Sequence, residues 1–333
     1  MNLNRVASAL DARAPGLVTR DTSVSELTTY RIGGPVAVLV RANDEATLAA
    51  VASVLRDERP PVLVVGRGSN LLVADHGFAG VAVVLGGVFE AIELDAERGF
   101  VRAGAAVALP VLARRVAAAG LTGLEFFVGI PGSVGGAVRM NAGGHGRETR
   151  DVLRAAWVVD LTSPRAEPEV RDTAALDFGY RRSSIGPDQI VTRAEFTVAT
   201  DDIAACEARI ADIVRWRREH QPGGSNAGSV FRNPPGDSAG RLIDAAGLKG
   251  LRVGGAVVSE KHANFFQAEP GATATDVVQL IATVQARVEA AAGVHLEPEL
   301  HMVGFANRGV PSCPTTDPTS DPTSDPTSER SGS

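Results

Sequence analysis

The stretch EFFVGIPGSVGGAVRMNAGGHGRE, residues 125–148, decides how the fold of this chain is interpreted. Seven of its 24 residues are glycine, and yet Ile130, Val134, Val138 and Met140 keep it apolar. Glycine at this density predicts a loop rather than a regular element, because glycine loses the most conformational freedom on folding. A loop that is both apolar and free in its backbone suits a flat aromatic ligand lying against the main chain.

A second glycine-rich segment, VLVVGRGSNLLVAD at residues 62–75, lies earlier in the chain. Its glycines, with Ser69 and Asn70, lie between two apolar runs, so their backbone N–H groups can form a concave site for an anion such as a diphosphate. It is not the Rossmann fingerprint, because Leu71 takes the place of the third glycine and LLV predicts a strand. Either loop alone is equally consistent with a tight connection. Together they favour a dinucleotide.

Composition limits the class of protein. A chain of 333 residues predicts two compact units, and a formal net charge of −6 argues against nucleic acid as a partner. Cys206 and Cys313 offer neither a disulfide framework nor metal-ligand spacing. The charged N-terminal segment excludes a signal peptide, and no apolar run reaches membrane-spanning length. We therefore expect a cytoplasmic protein, a monomer that contacts no membrane and holds no metal.

The pattern along the chain mixes strands and helices. Short β-branched runs predict strands at 35–42, 60–66 and 80–87. Helices are predicted after Asn43 or Asp44, at 108–119, at 203–221, after Ser238 and at 275–293. The stretch 294–305 is predicted to be a returning strand interrupted at Pro298. The repeats of Asp-Pro-Thr-Ser after Pro311 predict a disordered tail.

Seven motifs occur in an order that resembles one family, the UDP-N-acetylenolpyruvoylglucosamine reductases, from about residue 20 to 305. They are TTYRIGGP (28–35), VVGRGSNLLV (64–73), GIPGSVGGAVRMNAGG (129–144), FGYRRSSI (178–185), NAGSVFRNP (226–234), AGLKGLRVGGAVVSEKHANFF (246–266) and GVHLEPELHMVG (293–304). The resemblance implies a mixed α/β (α+β) fold: a two-lobed FAD-binding region of the VAO/PCMH type over 1–200, then a smaller α+β substrate-binding domain over 201–305. The tail would span 306–333.

The resemblance also implies the activity. NADPH would reduce FAD, leave, and be replaced in the same cleft by UDP-N-acetylenolpyruvoylglucosamine, which is reduced to UDP-N-acetylmuramate in peptidoglycan precursor synthesis. The short interval before NAGSVFRNP resembles the form of the family that lacks a tyrosine-bearing loop, and His145 stands where relatives can hold tyrosine. The predicted cofactor-binding residues are Gly66, Gly68, Ser69, Asn70, Leu71, Gly129, Ile130, Pro131, Gly132, Ser133, Gly135, Gly136, Asn141 and Gly143.

Three catalytic residues follow from the resemblance and from the chemistry that it implies. Hydride transfer to the vinyl carbon leaves carbanion character beside a carboxylate, and Arg181 is predicted to stabilise that charge, with Arg182 as the rival. Glu299 is predicted to polarise the carboxyl side or relay a proton, with a pKa raised by burial and like charge. Glu297, two positions earlier, is its alternative.

Ser229 is predicted to donate the proton in the second step. A carboxylic acid of ordinary pKa is already ionised at neutral pH, whereas an alcohol keeps its proton, and an enolate-like carbon is basic enough to take it. The predicted substrate contacts are Tyr180, Asn233 and Lys249, of which Lys249 would meet the UDP phosphates. A packing role for Tyr180 and a solvated turn for Lys249 are the alternatives. The competing functions are another FAD-linked oxidoreductase acting on an alcohol or hydroxy acid, and a nucleotide-binding module without catalysis.

Overall fold

The computed structural model describes residues 2–305, so the predicted tail lies outside the described residues. Seven α-helices are present in this range: α1 (Leu3–Arg13), α2 (Glu45–Glu58), α3 (Leu109–Ala118), α4 (Val134–Met140), α5 (Ile203–His220), α6 (Ala239–Ala245) and α7 (Ala274–Ala292). The five predicted helices correspond to α2, α3, α5, α6 and α7.

Eighteen strands accompany these helices within the described range. The first seven are β1 (Val18–Ser23), β2 (Pro35–Ala42), β3 (Val62–Val65), β4 (Leu71–Val73), β5 (Phe78–Leu85), β6 (Ile92–Asp95) and β7 (Phe100–Gly104). The others are β8 (Leu121–Thr122), β9 (Gly143–Gly144), β10 (Arg147–Glu148), β11 (Leu153–Asp160), β12 (Glu169–Asp172), β13 (Gln189–Thr197), β14 (Ala199–Thr200), β15 (Arg252–Val253), β16 (Ala256–Val258), β17 (Phe266–Ala268) and β18 (His301–Val303).

The first lobe is a four-stranded sheet in the order β1-β2-β5-β3. Strands β2, β5 and β3 run parallel, as expected of short, buried, β-branched runs joined by a helix. The predicted strands at 35–42, 60–66 and 80–87 are therefore confirmed. Asp44 caps α2 by accepting the Thr47 N–H at 2.7 Å, and the helix buries Leu48, Val51 and Leu55 against the sheet.

The second lobe is a five-stranded antiparallel sheet in the order β12-β11-β13-β7-β6. Helices α3 and α4 lie over it, and the core between them includes Phe127 and Phe196, whose rings meet edge to face with centroids 5.5 Å apart. Together the two lobes form the predicted two-lobed arrangement. The glycine-rich stretch 125–148 lies in this second lobe.

The prediction that residues 125–148 form no regular element is wrong. A 3₁₀ turn covers Glu125–Gly129, α4 follows, and β9 pairs with β10. Ser133 caps α4 and its hydroxyl accepts the Gly136 N–H at 3.4 Å. Close packing explains the glycine at position 135, since a Cβ there would lie 3.0 Å from the Ala105 Cβ. Tertiary packing thus stabilises α4 although glycine has a low helix propensity.

The remaining chain forms a small α+β unit with its own core. Strands β15-β16-β17 form an antiparallel sheet, and α7 covers it with Val277, Leu280, Ile281, Val284 and Val288, as the apolar stripe predicts. Thr273 and Asp276 form a capping box at the start of α7. Gly293, in the left-handed conformation with φ 67°, ends the helix.

The small unit is tied to the first lobe. Strand β18 pairs in parallel with β4, which confirms a returning strand, although only His301–Val303 is regular. Asp75 accepts the backbone N–H groups of Ala274 and Thr275 at 2.7 and 2.9 Å, so a loop of the first lobe caps α7. Tyr30 is fully buried in the core of the small unit. The two units therefore share a packed boundary.

Helix α5 begins just after the boundary predicted at residue 201, which stays a prediction. Its buried side chains, Cys206 and Ile210, belong to the core of the second lobe. Arg209 pairs with Glu125 there at 2.9 Å. The helix is charged on its outer face but packs with the residues before it, because its one buried face is directed at α3 and the 125–129 turn. Within residues 2–305, no helix is long and apolar enough to cross a bilayer.

Candidate active site

The two glycine-rich loops predicted to bind the cofactor face one another. A Cβ placed on Gly66 would lie 2.5 Å from the Ser133 Oγ, and one placed on Gly132 would lie 3.6 Å from the Ser69 Oγ. At both positions, the backbone of one loop therefore lies almost in contact with a side chain of the other loop. The loops therefore form two walls of one cradle whose dimensions depend on the absence of side chains.

The first wall is held in shape by the segment before β2. Gly68 adopts φ 59°, and a Cβ there would lie 2.0 Å from the Leu27 carbonyl oxygen, so only glycine fits. The Thr29 N–H donates to the Gly68 carbonyl at 3.3 Å. Within residues 2–305, the hydroxyls of Thr28 and Thr29 are buried and make no hydrogen bond. Buried polar groups are normally hydrogen-bonded, so these two hydroxyls are available to a polar ligand. The cradle thus fits a polar, phosphate-bearing cofactor.

The second wall presents backbone and small side chains. Gly135 and Ile130 already donate their N–H groups, to the carbonyls of Ala105 and Phe127 at 2.9 and 3.0 Å. These two positions can line a ligand but cannot offer a backbone N–H to it. The predicted cofactor residues that remain half-buried or exposed on the two loops are Gly66, Ser69, Asn70, Leu71, Gly129, Ile130, Pro131, Gly132, Gly135, Gly136 and Gly143.

Two predicted cofactor residues are used differently. Asn141 is completely buried, and its amide donates to Glu148 and to the Gly179 carbonyl, both at 3.0 Å, and accepts the Arg150 N–H at 3.0 Å. All of these side-chain contacts are within the protein, and a cofactor contact for Asn141 stays a prediction. Through the Gly179 carbonyl, the Asn141 amide anchors the loop that leads to Arg181.

Asn70 connects the cradle to the catalytic residues. Its Nδ2 donates to the Glu299 carbonyl at 3.1 Å, and its own carbonyl accepts the His301 N–H at 3.0 Å. Residues 229 positions apart in the chain are joined by this contact. A shift in the first glycine loop would therefore be transmitted to the backbone of Glu299.

Arg181 lies at the junction of the lobes and the small unit. Its Nε is 2.9 Å from the Glu299 Oε1, and an Nη donates to the Gly143 carbonyl at 3.2 Å. Only glycine fits at position 143, because a Cβ on this residue would lie 3.3 Å from an Arg181 Nη and 2.7 Å from the Arg147 carbonyl oxygen. The rival, Arg182, pairs with Asp177 on the surface, and both of those side chains are more than half exposed. The structure therefore brings Arg181, not Arg182, to the site.

Glu299 is the carboxylate of the site. Burial raises its pKa, while the guanidinium groups of Arg181 and Arg232 oppose that rise. The predicted rise is confirmed, with burial as its cause. The like charge was expected from the substrate, and that part stays a prediction. Glu297 is exposed and has no ion-pair partner among residues 2–305, so Glu299 is the member of LEPE that reaches the site.

Ser229 lies in a loop held by backbone contacts on both sides. Its neighbour Val230 accepts the Glu299 N–H at 2.7 Å, which places the serine segment directly beside Glu299. Asn264, buried and remote in sequence, binds both backbone groups of Phe231: its Oδ1 accepts the N–H at 2.9 Å and its Nδ2 donates to the carbonyl at 2.8 Å. This side chain acts as a short strand partner and fixes the loop.

The predicted substrate residues are less tightly grouped. The Tyr180 ring lies under the Arg181 guanidinium, 5.1 Å from centroid to Cζ, and is 45 % exposed, so it is available to a ligand. Asn233 uses its Oδ1 to accept the Ala239 N–H at 3.1 Å at the start of α6. Lys249 pairs with Asp244 at 2.7 Å. Among residues 2–305 no contact joins Asn233 or Lys249 to the catalytic residues.

His145, whose role the sequence left open, lies at the edge of the second wall. A Cβ on Gly129 would lie 3.1 Å from its Nε2. Its ring meets Trp216 edge to face at 5.1 Å, and Trp216 stacks on His220 at 4.6 Å. Burial and the charge of Arg217 lower the pKa of His145, which favours a neutral ring.

Sequence reasoning missed the residues that position the catalytic groups. Asn264 and Arg232 both lie within quoted motifs, in HANFF and in FRNP, but nothing in their spacing marked a role. The available signal was position: Arg232 follows the serine by three residues, and an asparagine in a strand-like run commonly replaces a backbone partner.

The fold and the site together define a class, the FAD-dependent oxidoreductases. Residues 36–163 match the model of an FAD binding domain. The predicted fold class and the FAD call are confirmed by this match together with the two-lobed architecture. The cofactor supplies the capacity to accept and deliver a hydride.

The particular family follows from closer relatives. Residues 220–303 match the model of the UDP-N-acetylenolpyruvoylglucosamine reductase C-terminal domain. Enzymes of that name from Heliobacterium modesticaldum and Acidiphilium cryptum are 44% and 45% identical to the chain over 88% of its length, covering 93% and 94% of those proteins. The crystal structure of the reductase from Thermus caldophilus superimposes with a TM-score of 0.72 at 38% identity, covering 86% of this chain and 98% of that one. The chain belongs to the UDP-N-acetylenolpyruvoylglucosamine reductase family.

Proposed function

We propose that Arg181, Ser229 and Glu299 are the catalytic residues of an FAD-dependent reductase that converts UDP-N-acetylenolpyruvoylglucosamine to UDP-N-acetylmuramate with NADPH. The observation that carries this assignment is the 2.9 Å contact between the Arg181 Nε and the Glu299 Oε1. Those residues come from the two ends of the motif series, and Glu299 is hydrogen-bonded through its backbone to the residue after Ser229. These two contacts support the proposal that the three groups act together.

Each residue has a chemical role consistent with its surroundings. Arg181 stabilises negative charge that develops beside the substrate carboxylate. Preorganised donors of this kind stabilise a transition state by about 3 to 4 kcal/mol. Ser229 gives its hydroxyl proton to the neighbouring carbon, since no hydrogen bond among residues 2–305 ties its Oγ elsewhere. Glu299 holds the Arg181 guanidinium in place, and its raised pKa suits a group that relays a proton.

The cofactor is assigned to the cradle between the two glycine loops. Its walls would be formed by Gly66, Gly68 and Ser69 on one side and by Gly132 and Ser133 on the other. Support comes from the close approach of the loops and from the conformation of Gly68, which excludes a side chain. These residues would hold FAD, which would supply the capacity to accept a hydride from NADPH and deliver it to the enolpyruvyl group. No second nucleotide fingerprint occurs in the sequence, which supports a cleft shared by NADPH and the UDP-sugar.

Lys249, Tyr180 and Asn233 stay predictions as substrate contacts. Tyr180 is the best supported of them, because it is exposed and lies against Arg181. We place the domain boundary after α5, near residue 221, because Cys206 and Ile210 pack with the second lobe. A monomeric state and a cytoplasmic location stay predictions.

The experiment that tests the function follows the colour of the purified protein. The holoprotein is expected to be yellow, to bleach when NADPH is added without oxygen, and to recover its colour when UDP-N-acetylenolpyruvoylglucosamine follows. A protein that an alcohol or a hydroxy acid reduces instead, and that ignores the enolpyruvyl nucleotide, would support the rival FAD oxidoreductase. A colourless protein that refuses added FAD would support the nucleotide-binding module.

A further inference from the structure

Arg232 lies on the backbone ladder that carries the catalytic glutamate. Phe231 and Pro298 are paired in antiparallel fashion, the Arg232 N–H donates to the Glu297 carbonyl at 2.9 Å, and the Glu299 N–H donates to Val230. This register makes Arg232 and Glu299 diagonal neighbours, a separation that long side chains bridge. The Arg232 charge also acts on Glu299 electrostatically. The guanidinium therefore lies beside the site.

The guanidinium of Arg232 makes no close ion pair with any residue in the range 2–305. Its Nε is buried without a hydrogen-bond partner, and no ion pair or side-chain hydrogen bond engages its guanidinium among residues 2–305. A buried donor that stays unpaired is costly, and a half-buried cation without a counter-ion is an attractive position for an anion. Arg181, by contrast, is already paired with Glu299.

Arg181 has fewer donors left for a substrate. Its Nε is committed to Glu299, and an Nη is committed to the Gly143 carbonyl. A guanidinium grips a carboxylate best through two parallel hydrogen bonds, which often include the Nε edge. That edge of Arg181 is used within the protein, whereas no hydrogen bond or ion pair among residues 2–305 occupies the half-buried guanidinium of Arg232.

We propose that Arg232 binds the carboxylate of the enolpyruvyl substrate and of the lactyl product, so that Arg181 remains on Glu299 and faces the reacting carbon. This inference rests on the proposed function. The carboxylate is favoured over the diphosphate because Arg232 lies three residues after Ser229 and beside Glu299, at the reacting end of the substrate. Binding there would give the unpaired guanidinium its counter-ion.

The test compares two nucleotides that differ at the reacting end. UDP-N-acetylmuramate has the lactyl carboxylate, and UDP-N-acetylglucosamine lacks it but keeps the same diphosphate and uridine. The dissociation constant of each is measured on the oxidised FAD holoprotein by calorimetry, for the wild type, Arg232→Met and Arg232→Lys. Arg232→Met is expected to bind UDP-N-acetylmuramate about 10- to 100-fold more weakly, because a charged hydrogen-bonded pair is lost. Its affinity for UDP-N-acetylglucosamine is expected to stay within about twofold, and Arg232→Lys is expected to recover part of the loss.

The possible results distinguish failure of the Arg232 assignment from failure of the proposed reductase function. Equal weakening of both nucleotides by Arg232→Met would overturn the carboxylate assignment and move Arg232 to the diphosphate. Unchanged affinity for both would overturn the inference while leaving the reductase intact. A wild-type holoprotein that binds neither nucleotide would overturn the function and the inference together. The flavin spectrum and the rate of reduction by NADPH report folding, and Arg232→Gln serves if the methionine variant does not fold.

Discussion

The cofactor cradle and the catalytic cluster are built in opposite ways. The cradle is made of backbone and small side chains, and its specificity lies in what is absent, as at Gly68, where a Cβ would lie 2.0 Å from a carbonyl oxygen. The proposed cluster is made of functional side chains, Arg181, Ser229 and Glu299, from three separate segments. An ion pair joins Arg181 to Glu299, and a backbone hydrogen bond joins Glu299 to the residue after Ser229. Added side-chain atoms should therefore weaken cofactor binding in the cradle, whereas removal of functional groups should slow the reaction at the cluster.

The largest effect is expected from Ser229→Ala. The variant should bind FAD and be reduced by NADPH at the normal rate, because the hydroxyl supports neither wall of the cradle. Reoxidation by the enolpyruvyl nucleotide should fall about 10² to 10⁴-fold, the usual contribution of a positioned proton donor. Anaerobic stopped-flow absorbance of the flavin measures the two half-reactions separately.

Ser225→Ala is the matched control for that variant. Ser225 lies in the same loop, and its backbone carbonyl accepts the Ala268 N–H at 2.9 Å, whereas its side chain makes no hydrogen bond to any residue in the range 2–305. Both half-reactions should be unchanged. If Ser229→Ala slowed reduction by NADPH as much as reoxidation, the serine would belong to the structure of the loop and not to proton donation.

The next largest effect is expected from Arg181→Gln. Removing a preorganised cation costs about 10² to 10³ in the step where charge develops, so reoxidation should slow by that factor. Arg182→Gln, which removes a surface partner of Asp177, should leave the rate within about twofold. Similar losses in the two variants, measured in the same single-turnover assay, would show that the ion pair with Glu299 does not define the catalytic arginine.

A smaller effect is expected from Gly68→Ala in the cradle. Alanine in the left-handed conformation costs about 1 to 2 kcal/mol, and its Cβ would also press on the Leu27 carbonyl. The FAD dissociation constant, followed by flavin fluorescence, should rise at least about tenfold. Gly144→Ala is the control, since a Cβ at Gly144 meets nothing within 4 Å. Tight FAD binding by Gly68→Ala would mean that this loop is not the wall of the cradle.

The smallest effect concerns pH. Burial raises the pKa of Glu299 in the folded protein, so the unfolded chain releases that proton at lower pH. The stabilisation by protonated Glu299 is complete below the unfolded pKa and is lost as pH rises through the raised folded pKa. The free energy of unfolding of Glu299→Gln should therefore fall less over that rise than that of the wild type, with Glu297→Gln as the control. Parallel pH profiles in urea titrations for wild type and Glu299→Gln would contradict a raised pKa.

Local patterns predicted much of the scaffold. The strands near 35–42 and 80–87, the cap at Asp44 and the stripe of α7 all depend on neighbours within a few residues, which the sequence displays. Helix α4 was missed because its glycines look like a loop, and only the contact with Ala105 explains them. The affiliation of α5 was missed because its charge hides the single buried face that packs on the second lobe.

The catalytic residues could be named in advance, but their supports could not. Arg181 and Glu299 were preferred over Arg182 and Glu297 through the resemblance of motifs, and the ion pair at 2.9 Å now gives a physical reason for the choice. Asn141 was predicted to bind the cofactor because it lies among the loop residues, whereas its side-chain amide donates hydrogen bonds to Glu148 and to the Gly179 carbonyl. Contacts across more than 30 residues, such as that of Asn264 with Phe231, leave no local trace in a sequence.

The most direct test of convergence is a double-mutant cycle on Arg181 and Glu299. The rate of anaerobic flavin reoxidation by the enolpyruvyl nucleotide is measured for the wild type, Arg181→Gln, Glu299→Gln and the double variant. Residues in contact that act as a unit should show strong coupling, so the double variant should be about as slow as the slower single variant. Losses that multiply, as for two independent sites, would contradict the claim that these side chains form one catalytic group.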